Sequence, residues 1–140
     1  MVLVLWALAA LLLPGCNSSP GDDAEIASQL QAADSAVVER RRPSPQSGKS
    51  YVRVIAYGKT ETEQMVAAVL GARRDRGSYD FPVRQNTVKF YRNSRLLAKI
   101  DTSSDVFILY GTQYRSETKE LSILVDMALN GASEMEVGNR

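Results

Sequence analysis

Few side chains in this chain are able to do covalent or proton-transfer chemistry, and their scarcity bounds its activity. There is one cysteine, Cys16, and no histidine. Without imidazole, Ser-His-Asp and Cys-His nucleophile systems, imidazole metal sites and the usual neutral-pH proton shuttle are closed. Carboxylate pairs remain, Asp75 with Asp80 and Asp101 with Asp105. Glycoside cleavage needs two acids about 5–10 Å apart. Neither pair sits beside an aromatic-rich cleft signature, and both read as loop and turn carboxylates facing water. Asp101, Ser103 and Asp105 alternate as the oxygen ligands of a calcium loop do, but the glycine and distal glutamate of such a loop are missing. The expectation is therefore no catalytic residue, no metal and no cofactor.

The one thiol has a different fate. Val2–Leu13 is an unbroken apolar run, closed by Leu13, Pro14, Gly15 and Cys16. That run is shorter than the roughly 20 residues a membrane-crossing helix needs, and it fits the 7–15 residues usual for the apolar region of an export signal. The arrangement resembles the signal peptide and lipobox of a bacterial lipoprotein, with Gly15 at the small position before the cut and Leu13 three before the cysteine. The resemblance implies removal of residues 1–15 and acylation of the Cys16 sulfur, so that the protein is held to a membrane by lipid. Asn17 and Ser18 follow, without the aspartate of lipoproteins retained at the inner membrane, which implies the outer membrane facing the periplasm in a two-membrane host. Two positions depart from the pattern. Pro14 is unusual between Leu13 and Gly15, and the first basic residue is Arg40, whereas export signals begin positively charged. A start site assigned downstream of the true one would explain the second departure.

A shorter local match lies at Phe107–Gln113, a strand and turn that resembles the phosphate loop of flavodoxin-like domains. Tyr114 and Arg115 replace the Thr and Gly that would close on a phosphate, and too little chain follows to build the rest of a doubly wound sheet.

Elements that would position these residues follow from periodicity. Asp22 and Glu25 mark a helix start, and Ile26, Leu30, Ala33 and Val37 share one helical face, which predicts a helix from Asp23 to Arg41. Pro43, Ser44, Pro45, Ser47 and Gly48 form a connector, so that residues 16–49 read as a lipidated tether carrying one amphipathic helix. Tyr51–Tyr57 is dense in β-branched and aromatic residues and reads as a strand ending at Gly58. Met65, Val66, Val69 and Leu70 line a helix, opened by Thr60 and Glu63 and stopped by Gly71. Thr87–Tyr91 and Leu96–Ile100 read as a hairpin, Val106–Tyr110 as a further strand, and Leu121, Leu124, Val125, Ala128 and Leu129 as a last helix ended by Asn130 and Gly131. The predicted fold class is α+β, a small two-layer sandwich of about four strands with two helices on one face. It occupies residues 50–131, is preceded by the tethered helix and is followed by a tail at 132–140. One cysteine permits no internal disulfide, so stability must come from the core.

Charge placement is the remaining signal. The chain has 17 basic and 16 acidic residues, a net +1, which excludes a bulk polycation seeking nucleic acid. Basic residues are concentrated between Arg73 and Lys99 and acidic ones between Asp101 and Arg140, which makes the domain dipolar. Arg73, Arg74, Arg76, Tyr79, Tyr91, Arg92 and Arg95 form the predicted contact surface, suited to an acidic protein face, an anionic lipid or a glycan phosphate. Arg40, Arg41 and Arg42 read as part of the tether, near the lipid. The functional expectation is a lipid-anchored, non-catalytic binding or assembly module of an envelope complex such as a secretion or pilus system. The alternative is an immunity or inhibitor lipoprotein that blocks a toxin or wall hydrolase.

Overall fold

The computed structural model describes residues 18–43, 50–77, 86–130 and 134–137. The Cys16 lipobox, residues 1–15, the connector beyond Pro43, Tyr79 and the last residues lie outside them. Among the described residues, strands β1 (Ser35–Pro43), β2 (Ser50–Tyr57), β3 (Arg73–Arg74), β4 (Asn86–Arg92), β5 (Arg95–Ser103), β6 (Val106–Leu109), β7 (Thr112–Arg115) and β8 (Glu134–Val137) form one sheet. Their spatial order is β3-β7-β6-β5-β4-β1-β2-β8, and every neighbouring pair is antiparallel. Helices α1 (Ala24–Gln31), α2 (Lys59–Leu70) and α3 (Glu120–Asn130) cover one face.

This corrects the expected four-stranded sheet with two helices and a tethered third. The main error lies at residues 35–43. The spacing of Ile26, Leu30, Ala33 and Val37 suits a helix, but α1 stops at Gln31 and the chain re-emerges as β1. Asp23, not Asp22, caps α1 by accepting the N–H groups of Glu25 and Ile26 at 3.0 and 3.2 Å. Beyond Gln31, the alternation of Ala36, Val38 and Arg40 with Val37, Glu39 and Arg41 is what the structure uses. β1 bonds to β2 on one side and β4 on the other, and two ladders outweigh weak local helix propensity. Residues 35–43 of the expected tether are an inner strand of the sheet. Short strands β3, β7 and β8, at or next to the sheet edges, carry too few residues to show a period of two.

Rows of residues across the sheet form the core. Ile55, Val38, Val88, Ile100 and Leu109 are successive cross-strand partners, and Tyr57, Ala36, Phe90 and Ala98 form the next row. Against them pack Leu30 of α1, Met65, Val66 and Val69 of α2, and Leu121, Val125 and Leu129 of α3. Met65 and Phe90 have no exposed surface. The Tyr57 hydroxyl donates to the Leu124 carbonyl at 2.9 Å, tying β2 to α3.

Turn chemistry closes the hairpins. Asn93 and Ser94 occupy the left-handed region at φ 47° and 66°, and Tyr110 and Gly111 do the same at 48° and 75°. Two such residues in succession form the turn that matches strand twist. The run that resembles a flavodoxin phosphate loop is this β6–β7 hairpin. Asp34 latches the first turn from the α1–β1 corner, accepting the Asn93 N–H at 3.0 Å.

Ser94 meets the left-handed requirement against its steric preference, whereas Gly111 meets it without one. Ser94→Gly should therefore raise stability by about 0.5–1 kcal/mol and Gly111→Ala should lower it by a similar amount. Urea unfolding followed by circular dichroism measures both.

Candidate functional site

The core rows give way to a polar one along the sheet. Two residues beyond Val38 and Ile55 lie Arg40 and Arg53, directly paired, and their row continues through Asn86 and Thr102. Because strand side chains alternate, Arg40 and Arg42 share the helix-facing side with Ala36 and Val38. Arg41 points to the other side and is exposed. A cleft of about 640 Å3 opens there, lined by Arg40, Arg42, Tyr51, Arg53, Asn86, Ser103, Ser104, Ser122 and Asp126. That volume is within the range of small-ligand and peptide side-chain sites.

Each guanidinium is held. Arg40 donates from Nε to Asn86 Oδ1 at 2.7 Å and from Nη2 to Asp126 Oδ1 at 3.0 Å, so it bridges the sheet floor and the outer flank of α3. Arg53 donates from Nη1 to the Leu129 carbonyl at 3.3 Å. This satisfies one of the last carbonyls of α3 and sets a cation where the helix dipole favours it. Arg42 lies 4.7 Å from the centre of the Tyr51 ring, a cation–π arrangement. At the outer edge, backbone pairing sets Glu134 of β8 opposite Arg53 and Glu136 opposite Tyr51.

This geometry suits recognition of an oxyanion. Guanidiniums on adjacent strands, about 4.8 Å apart at the backbone, gather positive charge and N–H donors of the kind that recognise carboxylate and phosphate, although Arg40 already directs Nε and Nη2 to Asn86 and Asp126. Their existing partners pre-orient them, which lowers the ordering cost of binding. Asp126 is tied to Arg40 and Ser122 Oγ to the Lys119 carbonyl at 2.9 Å. Among the described residues no group of three or more metal-ligating side chains occurs.

A second polar cluster lies at the β3 edge. Arg115 pairs with Asp75 at 3.0 Å and Asp105 at 3.3 Å, and Arg73 pairs with Glu117. The Gly77 N–H donates to Asp75 Oδ1 at 2.9 Å. That bond, reinforced by Arg115 and Gln113, holds the Asp75 carboxyl below its usual range.

The predicted contact residues do not converge. Arg73, Arg74 and Arg76 are exposed at or beside β3. Tyr91 is half-buried on the sheet face away from the helices, and Arg92 and Arg95 are exposed on either side of the Asn93–Ser94 turn. Strand spacing and rise put the β3 group and this hairpin tip roughly 30 Å apart. The cleft residues were legible only in part. Arg40 and Arg42 are conspicuous as charges, and the signal that assigns them is their alternation with Val38 and Ala36; Tyr51 and Arg53 carry the same signal on β2. Asn86 and Asp126 carry no local signal, because register and helix packing bring them in.

Comparison with protein-family models, characterised proteins and solved structures gives no match to this chain. The chemistry of the cleft thus rests on its own geometry.

Asp75 supplies a pH test. Its carboxyl titrates lower in the folded than in the unfolded chain, so its contribution is full above the ordinary value of 3.8 and is lost as pH falls through the lower folded value. Asp75→Asn should flatten the acid limb of stability against pH below about 4 while leaving its shape near neutrality unchanged. Denaturant midpoints taken from pH 2 to 7 check this.

Proposed function

We propose that this chain is a lipid-anchored, non-catalytic binding module of a cell-envelope complex, such as a secretion or pilus system, and that its arginine cleft takes an acidic segment of a partner protein. The observation that carries this reading is the Arg40–Arg53 pair with Arg42 on Tyr51, three half-buried guanidiniums on one sheet face that line a single cleft beside α3. Arginine and tyrosine are, with tryptophan, the side chains enriched among the residues that carry most of the binding energy of protein interfaces. The carboxylate in the cleft serves to hold Arg40, which supports positioning over proton transfer. The lipobox at Cys16 supports the location, since an acylated cysteine keeps the domain where envelope machinery assembles.

The experiment is photo-crosslinking in the native host, with the crosslinking residue placed at Tyr51 in the cleft and, as a control, at Tyr91 on the far face. Adducts to a membrane-embedded assembly are expected from Tyr51 and not from Tyr91. Arg42→Glu should reduce capture by about tenfold or more, equivalent to about 1.4 kcal/mol, with the far-UV spectrum unchanged. Equal adducts from both positions, or capture indifferent to Arg42→Glu, overturns the cleft. A one-to-one adduct with a soluble toxin or wall hydrolase would replace the assembly reading with that of an immunity or inhibitor lipoprotein.

A further inference from the structure

The fold begins almost at the lipobox. Ser18 is already fixed, its carbonyl accepting the Arg74 N–H of β3 at 2.8 Å. Its neighbour Ser19 donates its N–H to Asp22 Oδ2 at 2.9 Å. Next, Gly21 lies so close to α2 that a β-carbon there would meet the Leu70 carbonyl oxygen at 2.8 Å. The chain is thus packed down from Ser18 onward. Only Asn17 separates Ser18 from Cys16, a span of about 7 Å at full extension. In place of a tether of more than thirty residues, the lipid reading now implies a leash shorter than one screening length, which is about 8 Å at physiological ionic strength.

We propose that the β3 edge is the surface on which this domain rests against an anionic bilayer, with the arginine cleft held at the opposite side of the sheet. The proposal rests on the lipoprotein reading of Cys16. Arg73, Arg74 and Arg76 are all exposed on this edge. Of the acids beside them, Asp75 is paired with Arg115 and Glu117 with Arg73, whereas Asp22 and Asp23 accept backbone N–H groups and keep their charge. Arg74 and Arg76 form no ion pair among the described residues, so their charge is available to phospholipid phosphates within a screening length of the anchor. Strand order then sets the spacing. β1 and β2, which carry the cleft arginines, lie five and six strands from β3, roughly 25–30 Å away, whereas the Ser103 wall of the cleft is three strands from it; the cleft arginines therefore stand clear of the surface the β3 edge rests on. Of the predicted contact residues, Arg73, Arg74 and Arg76 thus face lipid, while the protein-binding role falls to Arg40, Arg42 and Arg53, which lay outside that prediction.

The test uses residues 16–140, which contain every described element, coupled through the single thiol of Cys16 to a maleimide lipid. Vesicles are phosphatidylcholine alone, or phosphatidylcholine with phosphatidylglycerol, and amide hydrogen exchange is read by mass spectrometry. On anionic vesicles, exchange at Arg73–Gly77 should slow several-fold relative to neutral ones, and Arg74→Glu with Arg76→Glu should abolish the difference. The segment from Arg40 to Arg53 should exchange alike on both. Identical exchange at Arg73–Gly77 on the two vesicles, or protection at the cleft instead, overturns the orientation. Chemical coupling supplies the anchor independently of the host, so a failure of the lipoprotein reading appears separately, as an unacylated Cys16 in the mass of the chain purified from its native membranes.

Discussion

Everything described here depends on β1 being bonded along both edges. Pairing from Ala36–Tyr57 to Pro43–Ser50 fixes it against β2, and pairing from Ser35–Tyr91 to Arg40–Asn86 fixes it against β4. Side chains on a strand alternate, so a slip of one residue exchanges its two faces. In that slipped register Glu39 would enter the core and Ala36 and Val38 would leave it, at a cost no exposed ion pair could offset. The core therefore locks the register, and the register places Arg40 and Arg42. Packing and recognition are set by the same ladder.

How far the sequence discloses this depends on the length and contrast of each segment. β2, the β4–β5 hairpin, α2 and α3 stand out because each holds a run of apolar residues at one unambiguous period. β1 does not, since Val37 continues a helical stripe begun by Ile26 and Leu30 while Ala36 and Val38 fit a strand alternation. Its true state is decided by β4, whose partners lie about fifty residues downstream, as in the Arg40–Asn86 bond across 46 positions. Local pattern holds no information about such a pairing. The cleft was hidden for the same reason: an arginine run reads as solvated chain until a sheet is known to pass through it. Arg73, Arg74 and Arg76 were legible as an exposed basic group, but their proximity to Ser18 comes from the α2 crossover.

The ion pairs of this domain act mainly as positioners. Arg40–Asp126, Lys89–Glu39 and Arg115–Asp75 all involve partly exposed partners, and such pairs contribute only about 0–1 kcal/mol each. Their value is directional. Arg40 is steered toward α3, Lys89 and Glu39 neutralise each other across the open face of the sheet, and Arg115 organises the corner between β7 and β3.

The two sheet edges differ in kind. One ends in β3, two arginines long, and the other in β8, four residues that include Glu134 and Glu136. An unpaired edge is a template for addition of strands from identical molecules, and edges of opposite sign favour a head-to-tail contact, the type that propagates into open fibres rather than closing. Brevity is what restrains this: a two-residue β3 offers too short a ladder to hold an incoming β8. Lengthening either edge, even with residues that leave the core untouched, would add ladder that a second copy could pair with and so favour aggregation.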